Sequence, residues 1–437
     1  MNQATAIEEA GRSGDLAWML VACAMVLLMT PGLAFFYGGL VRSKNALNTM
    51  MMSFAALGVV GVVWALAGYS FAFAGGTPWL GGIDHLFLRG VDLQLRGNIP
   101  HLLFMAYQGA FAIITAALIS GAVVERMRFG PYLGFIALWT LAVYAPVCHW
   151  VWGGGWLASL GALDFAGGTV VHVNAAATAV VAALTLGSRK DYGKQALLPH
   201  NVPFVLLGAA VLWFGWLGFN GGSALAADRS AVLAFVNTFL APAATLVVWM
   251  LLETRRAGQP TAVGAATGIV VGLVAITPAA GFVGPIAALA LGAVAAFPSY
   301  YCILWRSRSP LDDSLDVSAA HGLGGLAGAL LTGVLARAAW GGADGLIAGN
   351  ARQVGIQAIG VLATLAYSAV VSYGLLRLVG CVCALRAVPR EEGVGLDVTE
   401  HGEEAYSTGE GAILVLPQTA TGGPTVTLAT TGLEEPA

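Results

Sequence analysis

The chain has 437 residues, of which 58% are hydrophobic and only 10% are Asp, Glu, Lys or Arg. A soluble domain carries about 25% charged residues, so this composition excludes a soluble multidomain protein and a disordered chain. The formal net charge of −3 leaves no basic excess, which excludes a nucleic-acid-binding protein. Composition alone therefore predicts an all-α polytopic membrane protein.

Eleven apolar stretches are long enough to cross a bilayer, which takes about 20 apolar residues per helix. They cover approximately 16–41, 48–74, 101–125, 131–149, 168–187, 202–220, 230–252, 262–280, 282–305, 317–336 and 355–385. Residues 150–166 are rich in glycine and are predicted to form a re-entrant or interfacial connection. The transmembrane domain is thus expected over 16–387, after a short N-terminal segment, 1–15, on the outer side.

Lys and Arg are distributed unequally between the two sets of loops, with 14 on one side and 6 on the other. The richer side is expected to be cytoplasmic. This places the N-terminus outside and the C-terminus inside a cell membrane, which requires an odd number of spans.

The composition changes after the last apolar stretch. Residues 388–406 are polar and acidic, and residues 407–437 are rich in Thr, Gly and Pro, as is typical of a flexible tail. The five cysteines match neither a zinc site nor a disulfide framework and are expected to act as small apolar residues.

An Asp–His arrangement occurs once in each half of the chain. Asp164 precedes His172 in the fifth predicted span, and Asp316 precedes His321 in the tenth. Two units of five spans each must be inverted relative to each other, because five is odd. An inverted 5+5 repeat is typical of transporters, with the pathway at the repeat interface.

His172 and His321 are isolated in apolar, small-residue spans, where an ionisable group indicates a functional site. A single buried histidine often makes only a hydrogen bond between helices, but two at matching repeat positions favour a functional role. A neutral imidazole pair can bind a small neutral polar molecule or relay a proton. No third metal ligand is evident, so neither a metal nor another cofactor is predicted.

Three aromatic stretches lie at the predicted outer side, at 107–111, 149–156 and 214–223. They could form the aromatic belt at the membrane interface. Alternatively, they form a cation–π cage in which a hydroxyl such as that of Ser223 accepts from a small cation. Glycines beside each aromatic cluster leave room for a ligand and favour the cage.

Asp164 lies just before the fifth span. It is expected to cap that helix, or to attract a cation to the outer mouth, or both. Asp312, Asp313 and Asp316 precede the tenth span and are predicted to be helix caps as well.

Over about residues 15–406 the chain resembles the ammonium transporters of the Amt/Mep/Rh superfamily, and the Amt branch in particular. The matching motifs lie at 36–45, 121–126, 151–155, 163–172, 216–223, 312–322 and 395–406. The Trp-Gly-Gly-Gly run at 152–155 and the motif at 397–403 favour the Amt branch over the Rh branch. Ser314 departs from the family, in which a proline is common at this position.

The resemblance implies an outer substrate-binding site composed of Tyr107, Phe111, Trp152 and Ser223, with Asp164 in support. Phe111 and Phe219 would form a gate below it, and His172 and His321 would line the hydrophobic pore. The resemblance also implies a homotrimer of eleven-helix subunits, each with its own pore.

A regulatory role for residues 388–406 is also implied by the resemblance. The residues that match the family's regulatory motif are Asp397, His401, Gly402, Glu403 and Tyr406. The implied partner is a trimeric PII-type signalling protein at the cytoplasmic face. No kinase or cyclase motif is recognised after residue 406.

The expected function is ammonium uptake for nitrogen use by a membrane transporter that is not an enzyme. NH4+ would bind at the aromatic mouth and lose its proton, and NH3 would cross the pore, with a separate proton relay left open. The alternatives are an ammonium sensor acting through residues 388–406, an Rh-type gas channel, and an intramembrane enzyme with a metal at the histidine pair. A sensor needs no flux, so growth rescue of a transport-deficient host distinguishes it from a transporter.

Overall fold

The computed structural model describes residues 3–406, with side chains described from Gly11 onward. Within this part of the chain, ten helices are long and apolar enough to cross a membrane. They are Gly11–Leu40, Ser43–Phe73, His101–Val123, Phe129–Leu160, Gly168–Leu186, Val202–Gly222, Arg229–Ala257, Pro285–Arg306, Ser318–Leu335 and Arg352–Val382. A shorter apolar helix, Ala262–Ile276, follows Arg229–Ala257 in the chain. Together these are the eleven predicted spans in order, and the polytopic all-α fold is confirmed.

The boundaries differ from the prediction at two places. The first helix starts at Gln3, so most of the predicted segment 1–15 continues the first span. The fourth helix reaches Trp152, breaks at the glycines 153–155 and resumes as the short helix Trp156–Leu160. The predicted tail, 407–437, lies outside the described residues.

Polar caps explain where several helices begin. The side chains of Asn201, Asp228 and Thr261 accept hydrogen bonds from the first-turn N–H groups of the sixth, seventh and eighth helices. The connections also contain a small antiparallel hairpin of β1 (Leu95–Arg96) and β2 (Ile99–Pro100). Two short helices, Ala338–Gly341 and Pro389–Val394, flank the last membrane helix in the chain.

Helices that correspond in the two five-helix units pack against each other through small residues. The first and sixth helices approach so closely that a Cβ at Gly208 would overlap the backbone of Phe36. The fifth and tenth do the same, because a Cβ at Gly325 would lie 2.9 Å from Gly168 O and 3.0 Å from His172 Cβ. Small residues at such contacts let helix backbones approach in a membrane. The pairing is the one expected of a 5+5 repeat.

A buried ion cluster joins the loops at the end of the molecule that is rich in Lys and Arg, which we call the basic end. Glu125 has no exposed surface, and its carboxylate accepts from Arg42 Nη2 at 3.0 Å and from Arg189 Nη1 at 2.8 Å. Arg189 in turn donates to both carboxylate oxygens of Asp312. The loops after the first, third, fifth and ninth spans are therefore tied together by charge-assisted hydrogen bonds.

Burial alone raises the pKa of Glu125, but Arg189 and Arg42 outweigh it and hold the pKa below its ordinary value of 4.5. A depressed carboxylate pKa stabilises the folded state fully above the unfolded pKa. That contribution is lost as the pH falls through the lower, folded pKa.

We predict that Glu125→Gln lowers the free energy of unfolding by about 3 kcal/mol, because it leaves the buried Arg189 and the half-buried Arg42 without their shared negative charge. The measurement is thermal unfolding of the purified protein in detergent between about pH 7 and about pH 4. The difference between the two proteins should shrink at the acidic end. Asp191→Asn, which removes the charge of a partly solvent-accessible partner of Arg42, is the matched control and should leave the melting temperature nearly unchanged. Equal effects of the two variants would contradict the prediction.

Candidate substrate pathway

Two phenylalanines, which we call the gate pair, are stacked near the end opposite the basic end, and we call this end the aromatic end. Phe111 of the third helix and Phe219 of the sixth are stacked, with ring centroids 4.0 Å apart and planes at 21°. Trp152 meets the edge of Phe111 at 5.8 Å, and Tyr107 lies 5.0 Å from Phe111. The structure therefore brings together the four aromatic residues predicted for the outer site and the gate.

Ser223 and Tyr107 present oxygens to this cluster. The Tyr107 hydroxyl lies 3.0 and 2.9 Å from the carbonyl oxygens of Gly218 and Phe219, to which it donates. Ser223 Oγ donates to Phe219 O at 2.8 Å and lies 3.5 Å from Tyr107 Oη. Because the hydroxyl groups of Tyr107 and Ser223 both donate to carbonyl oxygens, the lone pairs of Ser223 Oγ can accept a hydrogen bond from a ligand.

Asp164 supports the site through backbone groups. Its carboxylate accepts four backbone N–H bonds, from Gly167, Gly168, Thr169 and Val170, at 2.6 to 3.0 Å. Burial raises the pKa of Asp164, and these four donors oppose the increase. The carbonyl oxygen of Asp164 accepts from Trp152 Nε1 at 2.9 Å. The side chain thus caps the fifth helix while its backbone orients Trp152.

The two histidines meet in the centre of the molecule. His172 Nδ1 and His321 Nδ1 are 3.3 Å apart, and the rings are nearly parallel at 25°. One of the two imidazoles must donate this hydrogen bond and the other accept it. His172 also stacks on Trp216 at 5.3 Å, and its Nε2 atom is buried without a hydrogen-bond partner among the described residues.

A narrow apolar cavity lies between the gate and the histidines. It is lined by Phe219, His172, His321, Met29, Leu33, Ile114, Leu118, Val171, Leu212 and Trp216. Its volume of about 10 Å³ is at the lower limit for holding one water molecule. Apart from the imidazoles, the polar group among these lining side chains is the indole N–H of Trp216, which already donates to Thr277 Oγ1 at 2.8 Å. The cavity therefore solvates charge poorly.

Both histidines lie in matching distortions of their helices. His172 is in the π-helical segment Gly168–Val173, and His321 is in Ser318–Leu323. Asp164 precedes His172 by eight residues, and Asp313 precedes His321 by eight. Asp313 Oδ2 accepts from both the N–H and the hydroxyl of Ser318, at 2.6 Å each. Asp313 is therefore the counterpart of Asp164 in the second repeat. The prediction that Asp316 is this counterpart was wrong.

The other two aspartates before the tenth helix do not act as the predicted caps. Asp312 pairs with Arg189, and the Asp316 carboxylate pairs with Arg306. Ser314 accepts a hydrogen bond from Arg126 Nη1 at 2.6 Å, which a proline at this position could not do. Sequence spacing alone could not separate a cap from an ion pair at these positions.

His321 also borders a wider vestibule of about 460 Å³ at the basic end. Arg306, Asp316, Tyr37 and Gln195 are among its polar lining residues. Burial raises the pKa of Asp316 to about 6, against the lowering effect of Arg306. The gate, the narrow cavity, the histidine pair and this vestibule thus follow one another through the molecule.

The segment 388–406 is docked on the basic end. Asp397 accepts from the backbone N–H groups of Leu47 and Asn48, at 3.0 and 2.7 Å, and so caps the second helix. His401 Nε2 lies 3.0 Å from Asn48 Oδ1. Farther along, Gly402 adopts φ +70°, and the backbone N–H of Glu403 lies 3.4 Å from Asp397 O.

The segment ends at Tyr406, whose hydroxyl lies 3.0 Å from His200 Nε2 and accepts from Asn201 Nδ2 at 3.3 Å. His200 and Asn201 immediately precede the sixth helix. The five residues predicted to be regulatory are thus distributed along a segment that contacts the second and sixth helices.

An all-α membrane protein with an apolar cavity at the contact between two paired repeats has the architecture of a transporter. The model of the Ammonium Transporter Family matches residues 17–406. An ammonium transporter of Bacillus subtilis is 46% identical over 399 residues, 90% of this chain and 98% of the relative. One of Aquifex aeolicus is 50% identical over 402 residues, 90% of this chain and 94% of that one.

Solved structures agree with this result. Saccharomyces cerevisiae Mep2 matches with a TM-score of 0.80 and 37% identity, covering 85% of this chain and 86% of that one. A structure described as a sensor Amt protein matches with a TM-score of 0.84 and 31% identity, covering 90% of this chain and all of that one. The chain belongs to the Ammonium Transporter Family, as a transporter and not an enzyme.

We predict that Asp397→Asn loosens segment 388–406 from the second helix. The substitution removes the negative charge at the N-terminus of that helix and one of the two carboxylate oxygens that accept its N–H groups. The expected loss is about 1 kcal/mol, which corresponds to roughly fivefold faster amide exchange in the segment. Hydrogen exchange with mass spectrometry measures it. Glu403→Gln changes an exposed carboxylate of the same segment and should leave exchange unchanged.

Proposed function

We propose that this member of the ammonium transporter family binds NH4+ at the aromatic end, removes one proton and conducts NH3 past His172 and His321. The observation that carries the proposal is the succession of a stacked phenylalanine gate, a dry cavity and a histidine pair along one line. Such a succession suits a substrate that arrives charged and crosses neutral.

The first step is recruitment of the cation. The faces of Phe111 and Trp152 attract a small cation, with about 0.5–2 kcal/mol per cation–π contact depending on desolvation. Ser223 Oγ supplies an acceptor for one N–H, and Tyr107 fixes the carbonyl groups beside it. Asp164 holds Trp152 and adds negative charge near the mouth without offering its filled carboxylate to the ligand.

The second step is proton loss at the gate. A ring separation of 4.0 Å between Phe111 and Phe219 leaves no space for a hydrated ion. A bare cation would enter a cavity with almost no polar groups, at a large cost in lost hydration. NH3 has no such cost and can exchange hydrogen bonds with the imidazoles. K+ has no proton to release and is excluded.

We expect the double variant His172→Ala, His321→Ala to lose the selectivity for ammonium over K+ by about tenfold or more, because the smaller side chains widen and hydrate the cavity. Uptake of labelled methylammonium and of a K+ analogue by the protein in liposomes gives the ratio. His85→Ala, in an outer loop, is the control. A folded double variant that still rejects K+ would refute the role of the pair.

The proton removed from NH4+ can stay outside or cross separately. We infer that it crosses along the histidine pair, since their Nδ1 atoms are in hydrogen-bond contact and His321 reaches the vestibule.

An ammonium pulse on a solid-supported membrane should then give a transient current with the native protein. The current should be absent with His172→Ala, His321→Ala. A native protein that takes up methylammonium but gives no current would show that NH3 crosses alone.

The proposal extends to the oligomeric state, the orientation in the membrane and the regulatory partner. We propose a homotrimer in the cell membrane, with exposed apolar residues such as Val232, Phe239 and Ile286 facing lipid or neighbouring subunits. We propose that the basic end faces the cytoplasm, because short cytoplasmic loops are enriched in Lys and Arg. There, residues 388–406 would act as a regulatory segment, and a PII-type protein would meet the vestibule.

A sensor function is the second candidate, favoured by the similarity to the sensor Amt protein. In that case ligand binding would be read out through segment 388–406, which already contacts the second and sixth helices. An Rh-type gas channel would require no cation site, so the aromatic cluster argues against it.

A further inference from the structure

A histidine outside the pore lies one helical turn before Trp152. His149 belongs to the fourth helix and is almost fully buried. Its Nδ1 atom lies 2.9 Å from Ala72 O, and its Nε2 atom lies 2.8 Å from Thr77 O. Both partners are backbone carbonyl oxygens, which only accept hydrogen bonds.

This geometry determines the protonation state. A neutral imidazole has one N–H and one lone pair, so one of the two contacts would set a lone pair against a carbonyl oxygen. The imidazolium ion donates from both nitrogens and satisfies both contacts. Exchanging the two neutral tautomers does not remove the conflict, because the partners are equivalent.

The carbonyl groups favour a cation for a second reason. Ala72 lies in the last turn of the second helix, which ends at Phe73. The last carbonyl groups of a helix lack partners within it and carry partial negative charge. Arg96 uses the same helix end, because its Nη2 atom donates to Phe73 O at 3.3 Å.

His149 and Trp152 are connected through the backbone. The carbonyl oxygen of His149 accepts from the N–H groups of Gly153 at 3.0 Å and Gly155 at 2.9 Å. These bonds form the turn that follows Trp152. Side chains could not occupy this turn, since a Cβ at Gly153 would lie 2.6 Å from His149 Nδ1.

The loop that carries Thr77 packs on the same turn. Trp150 Nε1 donates to Trp79 O at 2.8 Å, and the backbone N–H of Trp156 donates to Pro78 O at 3.0 Å. A change at His149 therefore affects both the outer loop that carries Thr77 and the turn that follows Trp152.

We propose that His149 is a positively charged positioning residue that fixes the Trp152 turn of the outer cation site to the end of the second helix. Other ionisable groups on the elements around this turn include Tyr69, Asp84, Arg96, Tyr144, Cys148, Asp164 and His172. Of these, Asp164 also contacts Trp152, through its backbone carbonyl oxygen.

The first test is the protonation state itself. Nitrogen-15 NMR of the native protein with labelled histidine, at about pH 7, should show one imidazolium with both ring nitrogens protonated. That signal should disappear in His149→Gln and persist in His85→Gln. A neutral signal assigned to His149 would overturn the charged state. This measurement needs no transport and does not depend on the native activity.

The second test rests on the proposed function. His149→Gln keeps a similar size but cannot donate at both ends, so the KM for methylammonium should rise about tenfold while Vmax is maintained. His85→Gln should leave both values unchanged. An unchanged KM in His149→Gln would overturn the positioning role. Equal changes of KM and Vmax in His149→Gln and His85→Gln would overturn it as well.

If His149→Gln does not fold, the NMR spectrum of the native protein still decides the charged state. If the native protein shows the imidazolium but no uptake at all, the charged state stands and the proposed transport is what fails. The two proposals therefore fail separately.

Discussion

The cost of placing a charge in a dry pathway governs the arrangement of this molecule. An ion that leaves water must receive equivalent contacts or lose its charge, because an apolar medium does not replace hydration. Between the gate and the vestibule, the only ionisable side chains that line the described cavity are His172 and His321. The charged residues of the described chain are held instead at the two ends, where carboxylates, guanidinium groups and helix termini neutralise one another.

The repeat explains how such a pathway can be built with few polar groups. Two equivalent helices, the fifth and tenth, each carry one histidine, one π-helical segment and one aspartate cap eight residues earlier. A π-helical segment widens a helix locally and frees backbone groups from the regular ladder. Using the same device twice at an inverted contact brings the two imidazoles together, as their 3.3 Å separation shows.

Sequence patterns predicted much of this arrangement because the signals are strong where chemistry is rare. Isolated histidines in apolar helices are conspicuous, and the eleven spans are recognised because each apolar stretch is about as long as a bilayer requires. The pairing of Asp316 with His321 was wrong because three aspartates occur within five residues, and only the fold shows that Asp313 reaches Ser318. Trp216 lies within a recognised motif, yet nothing in its spacing indicates that His172 stacks on it. The vestibule residue Arg306 was equally hidden, since it looks like any other basic residue at a helix end.

The second helix joins the two ends of the pathway. Its first turn is capped by Asp397 of the C-terminal segment, and its last turn is held by His149 beside Trp152. Between them Trp64 lies in a π-helical segment and donates to Met105 O, two residues before Tyr107 of the aromatic cluster. A packed helix shifts as a unit more readily than it deforms, so the contacts at its two ends together fix its position. The same helix therefore contacts both the docked segment 388–406 and the aromatic end of the molecule.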